Sequence, residues 1–210
     1  YLYNQKLFGI KYHSDLNINF YSSCDFALPN GLEELKKSVS NCYLCDLSKT
    51  RKHTLFGYGN QNSKIMFICD EPSKSEDDLG SFFVGNAGEM LAKMIEGSLK
   101  IKKEEVYTTN LVKCRGTKEA SFQNFESCNC YLLKQIDIIK PKIIVAVGER
   151  VYDYLLKNSG DFLKNRGKVL SFNSAILVPI FSPLYLLKKK KKKKDTYLDM
   201  LKIKNLYEES

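Results

Sequence analysis

Short apolar runs alternate with segments of helical period along this chain, and that alternation constrains the fold more than any other feature. Lys64-Ile65-Met66-Phe67-Ile68, Val106-Tyr107-Thr108-Thr109, Ile143 to Val147 and Ala175 to Ile180 read as four strands. A helix is expected from Leu32 to about Asn41. Met90, Leu91, Met94, Ile95 and Leu99 recur at helical spacing. Leu132, Leu133, Ile136 and Ile139 mark another helix, which Pro141 stops. Val151, Tyr154 and Leu155 give a short helix capped by Asn158-Ser159-Gly160, and Tyr197 to Leu206 a final amphipathic one. Asp70 to Ser81 reads as a polar loop. Strands alternating with helices imply parallel pairing with helices on both faces. The expected class is α/β: a three-layer α/β/α sandwich around a central, four-stranded, mostly parallel sheet.

A chain of 210 residues, 43% hydrophobic and 27% charged, can bury one full core. Residues 31–210 are expected to form that domain. Residues 1–30 end in the turn signal Leu28-Pro29-Asn30-Gly31 and read as an arm or extension. No apolar run approaches the roughly 20 residues of a membrane span. A cytoplasmic monomer is the default expectation, and there seven cysteines are ligands or free thiols rather than disulfides. The net charge is +9, but seven lysines, Lys188 to Lys194, stand in one block, and the rest of the chain carries only +2. The block reads either as a phosphate-binding patch or as a solvated, self-repelling loop.

In parallel sheets ligands bind at the carboxyl ends of strands. Three strand-end loops are therefore the places to look for chemistry. The first begins Cys69-Asp70-Glu71-Pro72-Ser73. A carboxylate directly after a buried strand is costly unless solvated, paired or working; capping a helix is its bland use. The second strand ends at Asn110, a turn residue or an amide able to tell uracil from cytosine. The fourth runs into Ser182-Pro183-Leu184-Tyr185-Leu186-Leu187 and then the lysines. A leucine beside basic residues suits a wedge entering a DNA groove, or simply the start of a core-facing helix.

Cys42 and Cys45 form a C-x2-C pair, and Cys114 and Cys128 lie far downstream. Four thiolates can hold zinc or an iron–sulfur cluster. The C-x2-C pair, then E-P-x3-E-D-x2-G-x2-F-V-G from Glu71 to Gly85, T-N-x2-K-C-R from Thr109 to Arg115, a further Cys and P-x-Y-L-L from Pro183 to Leu187 follow in order. This set resembles the family 4 uracil-DNA glycosylases, the iron–sulfur members of their superfamily, over about residues 32–206. Arg166-Gly167 is similar to a turn of that family.

The resemblance implies a [4Fe-4S] cluster on Cys42, Cys45, Cys114 and Cys128, with Cys130 a rival for the fourth place. It implies that Phe83 stacks on an extruded uracil and that Asn110 reads its edge. Asp70 stands where the family has a Glu, and Ser182 where it has a His. Asp70, Asn110 and Ser182 are thus the expected catalytic residues, with Cys69, Glu71 and Phe83 around the base. Lys113, Arg115, Leu186 and Lys188 are the expected DNA contacts, and the partner is uracil-containing DNA, single- or double-stranded. The departures fall in the strand-end loops. The family's Gly-Glu-Ala-Pro-Gly is here Cys69-Asp70-Glu71-Pro72-Ser73, and Glu71 is an alternative source of the carboxylate. The expected activity is hydrolysis of the uracil N-glycosidic bond in DNA repair. A catalytically weak DNA- or damage-binding member, and a zinc module unrelated to glycosylases, are the alternatives.

Overall fold

The computed structural model describes residues 27–157 and 160–210. Helix α1 (Leu32–Ser40) leads through a short turn to β1 (Tyr58–Gly59) and β2 (Ile65–Cys69). Helices α2 (Lys74–Leu79) and α3 (Gly85–Met94) follow, and α3 continues into a π-helical turn, Ile95–Leu99. Next come β3 (Tyr107–Asn110), α4 (Phe122–Ile139), β4 (Ile143–Val147), α5 (Glu149–Leu155) and α6 (Phe162–Asn165). The chain ends with β5 (Leu170–Phe172), β6 (Ala175–Ile180), α7 (Pro183–Lys188) and α8 (Lys193–Glu208).

The strands form one sheet in the order β1-β3-β2-β4-β6-β5. The four central strands are parallel, as expected, and two short antiparallel strands, β1 and β5, are added at the edges. Residues alternate between two cores with the period of a strand. Met66, Ile68, Ile144, Ala146 and Leu177 pack against Leu35, Val39, Phe125, Leu132 and Leu155 from α1, α4 and α5. Ile65, Phe67, Ile143, Val145, Val178 and Ile180 pack against Leu91, Ile95, Met200 and Ile203 from α3, its π-turn and α8. Helices thus cover both faces, and the three layers follow from period-2 burial alone.

Two connections differ from the sequence reading. The segment expected as a polar loop contains α2, whose N-cap Ser73 accepts from Glu76 N–H while Glu76 accepts from Ser73 N–H. The lysine block is helical rather than a loop: it closes α7, forms the turn Lys190–Lys192 and opens α8. The α5 cap expected at Asn158-Ser159 and most of the expected arm, residues 1–26, lie outside the described residues. Helix α4 ends at Lys140 in the left-handed conformation, one residue before Pro141.

β2 leads to β3 on one side of itself, and β4 leads to β6 on the other. Their carboxyl ends therefore flank a topological switch point, where α/β sheets open a crevice.

Candidate active site and cysteine cavity

A cleft of about 510 Å³ opens at that point, with Cys69, Asp70, Phe83, Asn110, Val147 and Ser182 among its walls. The loops after β2 and β3 are bound together, since Leu111 N–H donates to Cys69 O (2.8 Å) and Val112 N–H to Asp70 O (3.2 Å). The sheet pairing thereby extends past both strands and fixes Asp70 beside Asn110.

Asp70 does not cap a helix, because Ser73 takes that place. Its carboxylate accepts from Glu71 N–H (2.9 Å) and faces Arg150 Nη1 at 3.4 Å. Burial raises its pKa above the ordinary aspartate value, and Arg150 pulls it partly back. Glu71 lines the cleft, but its carboxylate is engaged elsewhere: it accepts from Arg115 Nη1 (3.1 Å) and Ala120 N–H (2.7 Å). Glu71 is therefore a strut, and Asp70 is the carboxylate left facing the cleft.

Phe83 has φ +63, rare for a side-chain-bearing residue. Its N–H donates to Glu76 Oε1 (3.1 Å), and Tyr58 meets its ring edge-on at 5.4 Å. Gly88 lets α3 approach: a Cβ there would lie 2.7 Å from the Phe83 carbonyl carbon. Contacts with Glu76, Tyr58 and Gly88 thus hold this unusual backbone at the cleft wall. Asn110 is 3% exposed, and its Nδ2 has no hydrogen-bond partner among the described residues. Ser182 lines the cleft while capping α7, its Oγ accepting from Tyr185 N–H at 3.3 Å.

The structure corrects two expected DNA contacts. Lys113 is 1% exposed and donates to Thr109 Oγ1 (2.7 Å) and Asn110 O (2.6 Å). Burial lowers its pKa to about 8. It braces the end of β3 from within. Leu186 is 1% exposed and packs inward, whereas Leu184, two residues earlier, is 58% exposed at the cleft mouth. Arg115 and Lys188 both line the cleft. Arg150 carries no signal in the sequence. It stands just past the β4 turn and reaches Asp70 only through the fold, stacked over Phe125 at 5.0 Å.

A second, smaller cavity is lined by Cys42, Cys45, Cys114 and Cys128. Cys130 is buried but does not line it. Two residues along a helix turn the side chain by about 200°, so Cys128 and Cys130 point oppositely from α4. Arg51 Nη1 donates to Cys114 Sγ (3.2 Å) and to Cys42 O (2.8 Å). Burial pushes the Cys128 thiol up to about 12. Among the described residues no group of three or more His, Cys, Asp or Glu forms a ready single-ion site. Tetrahedral zinc would need sulfurs about 3.8 Å apart, from Zn–S bonds of about 2.3 Å. Four thiols ringing one cavity, with a guanidinium donating to one sulfur, are a donor set that fits an iron–sulfur cluster.

The fold and cleft define an α/β protein whose cleft opens at the carboxyl ends of parallel strands. The profile of the uracil DNA glycosylase superfamily matches residues 56–202, and the chain belongs to that superfamily. It is 37% identical over 142 residues to the type-4 uracil-DNA glycosylase of Saccharolobus solfataricus, covering 67% of this chain and 66% of that one. It is 32% identical over 161 residues to the type-4 uracil-DNA glycosylase of Thermotoga maritima, covering 75% and 83%. The chain spans just under two thirds of the length of the Saccharolobus relative. Membership sets aside a zinc module unrelated to glycosylases. No helix among the described residues is long and apolar enough to cross a membrane.

Proposed function

We propose that this protein excises uracil from DNA by hydrolysing its N-glycosidic bond. The observation that carries the reading is Asn110: a buried amide with an unpartnered N–H, at the floor of a cleft that also holds Asp70 and Phe83. A buried polar group without a partner asks for one from the ligand. The extruded base would stack on Phe83 and be read along its edge by Asn110. Bond cleavage builds positive charge on the sugar and negative charge on the leaving base. Asp70, as carboxylate, would stabilise the sugar cation and orient the attacking water, which gives its oxygen to C1′. One of its protons stays on the new C1′ hydroxyl, and the other passes, directly or through solvent, to the departing uracil anion. Ser182 keeps its hydroxyl proton free to donate, since only its oxygen is used in capping.

Around the cleft, Arg115, Lys188 and exposed Leu184 are the proposed contacts to the DNA strand, with Leu184 in the wedge role expected of Leu186. Cys42, Cys45, Cys114 and Cys128 would hold a [4Fe-4S] cluster. That group would order the loops around it rather than carry electrons in the reaction. A thiol-reducing, cytoplasmic compartment suits four cysteines kept as ligands.

A second reading, a DNA- or damage-binding member with weak catalysis, rests on Ser182. A neutral hydroxyl is a weaker donor to a developing anion than a charged group, and losing such a donor costs on the order of 3–4 kcal/mol. Anaerobically purified protein incubated with uracil-containing single strands and duplexes, followed by alkaline cleavage at abasic sites, decides. Cleavage lost in Asn110→Ala and Asp70→Ala supports the enzyme; tight uracil-specific binding without cleavage supports the second reading.

A further inference from the structure

Asn110 is not alone at the cleft floor. Thr108, two residues earlier on β3, is 1% exposed, lines the same cleft, and its Oγ1 also lacks a hydrogen-bond partner among the described residues. Strand alternation explains the pairing: residues 108 and 110 face the cleft, while 107 and 109 face α4. On the α4 side both β3 hydroxyls are used. Tyr107 OH accepts from Gln135 Nε2 (2.9 Å), and Thr109 Oγ1 donates to Phe56 O (2.8 Å). On the cleft side Thr108 lies in register with Phe67, in an apolar layer that includes Leu91. A residue that only packs there would be served by valine, which fills the same shape and leaves no orphaned hydroxyl. A hydroxyl retained in such surroundings calls for a partner that enters the cleft.

We propose that Thr108 is a second base-contacting residue, its hydroxyl donating to an exocyclic carbonyl oxygen of the extruded pyrimidine while Asn110 reads the edge. Residues two apart on a strand are about 6.6 Å apart, so the two groups address different atoms of one base. A hydroxyl both donates and accepts, so Thr108 adds hold on the base, and the discrimination of uracil from cytosine stays with Asn110. The proposal rests on the reading of this cleft as a uracil site.

The test uses the full chain and DNA bearing one 2′-fluoro-2′-deoxyuridine, whose fluorine disfavours the sugar cation and so blocks cleavage. Affinity is compared with the same strand bearing deoxyadenosine at that position, a base without an exocyclic carbonyl. Loss of one hydrogen bond should lower the uracil-over-adenine preference of Thr108→Val about three- to tenfold. Thr108→Ala must show the same loss, and Thr108→Ser, which keeps the hydroxyl, must not. Thr108→Val should melt at or above the wild-type temperature, because it removes a buried unpaired group. A Val variant that melts higher with its preference intact shows an orphaned core hydroxyl and overturns the proposal alone. A wild type without any preference for the uracil strand overturns the functional reading beneath it as well.

Discussion

Asp70 carries its charge at the end of a strand whose first four residues are buried, with its own side chain 38% exposed at the cleft. Burial raises its carboxyl pKa, and the Arg150 guanidinium at 3.4 Å only partly offsets it. Two consequences follow with opposite signs. Cleavage needs the carboxylate, so its acid limb should fall at a pH above the ordinary aspartate range. Stability runs the other way. A raised folded pKa contributes stability below the unfolded value, and that contribution is lost as pH rises through the folded one. Asp70→Asn should therefore melt higher than wild type at neutral pH, with the gain vanishing as pH falls below about 4, where the carboxyl is protonated in both states. The same variant should lose about 10²–10³ in cleavage rate. Melting curves and single-turnover rates across pH check both. A variant no more stable at neutral pH would show that Arg150 compensates Asp70 fully.

At the scale of elements, the sequence is most legible where a pattern is local. The four parallel strands stand within a residue of their expected ends, because period-2 burial is written in neighbouring residues, whereas α3, α4 and α8 begin four to ten residues before the apolar positions that mark them. Helix α2 escapes that reading although its signal is present: Ser73-Lys74-Ser75-Glu76 is a capping box, obscured by a run that is nearly all polar. Leu186, expected outside, turns inward and leaves Leu184 exposed, because a helix start decides which leucine faces the core, and two residues reverse the face. Lys113 and Arg150 are illegible for another reason, since their partners are set by tertiary packing. The lysine block shows the limit of charge counting. Read alone it favours a loop, yet all seven side chains are exposed along two helix ends, and only Lys192, with Asp195 at 3.1 Å, is ion-paired among the described residues. A fixed row of cations beginning at Lys188 on the cleft rim suits a phosphate backbone. Replacing Lys189, Lys190, Lys191 and Lys193 with Gln, a good helix former, should leave melting unchanged. The salt dependence of binding to undamaged DNA should flatten by about 0.9 in log–log slope per duplex phosphate lost, or about 0.7 on a single strand. An unaltered slope would make the block a solvated surface only.

For the whole molecule, the cysteine cavity joins parts of the chain that the sheet does not. Cys42 and Cys45 follow α1, Cys114 sits in the loop after β3, and Cys128 lies on α4. The superfamily match begins at residue 56, so the C-x2-C pair lies outside it. A cluster on these four residues would close a loop from Cys42 to Cys128, and a cross-link closing a loop of that length is worth about 4–5 kcal/mol. For a domain of this size that corresponds to a fall in Tm of roughly 10 °C on removal. The cleft would feel the loss too, because Asn110 is four residues from Cys114 on the segment braced by Lys113. Oxidative stripping of the iron, or Cys42→Ser, should therefore bleach the visible absorption of an iron–sulfur protein and lower Tm by that amount. Trypsin should then cut at Lys49 or Arg51, since Arg51 would lose the junction its guanidinium now holds through Ser40 O, Cys42 O and Cys114 Sγ. Cys130→Ser should change neither absorption nor cleavage pattern, as that thiol faces away from the cavity. A stripped protein with unchanged Tm and unchanged resistance at Arg51 would mean that packing of α1 on α4, and not shared ligation, holds the amino-terminal segment to the rest.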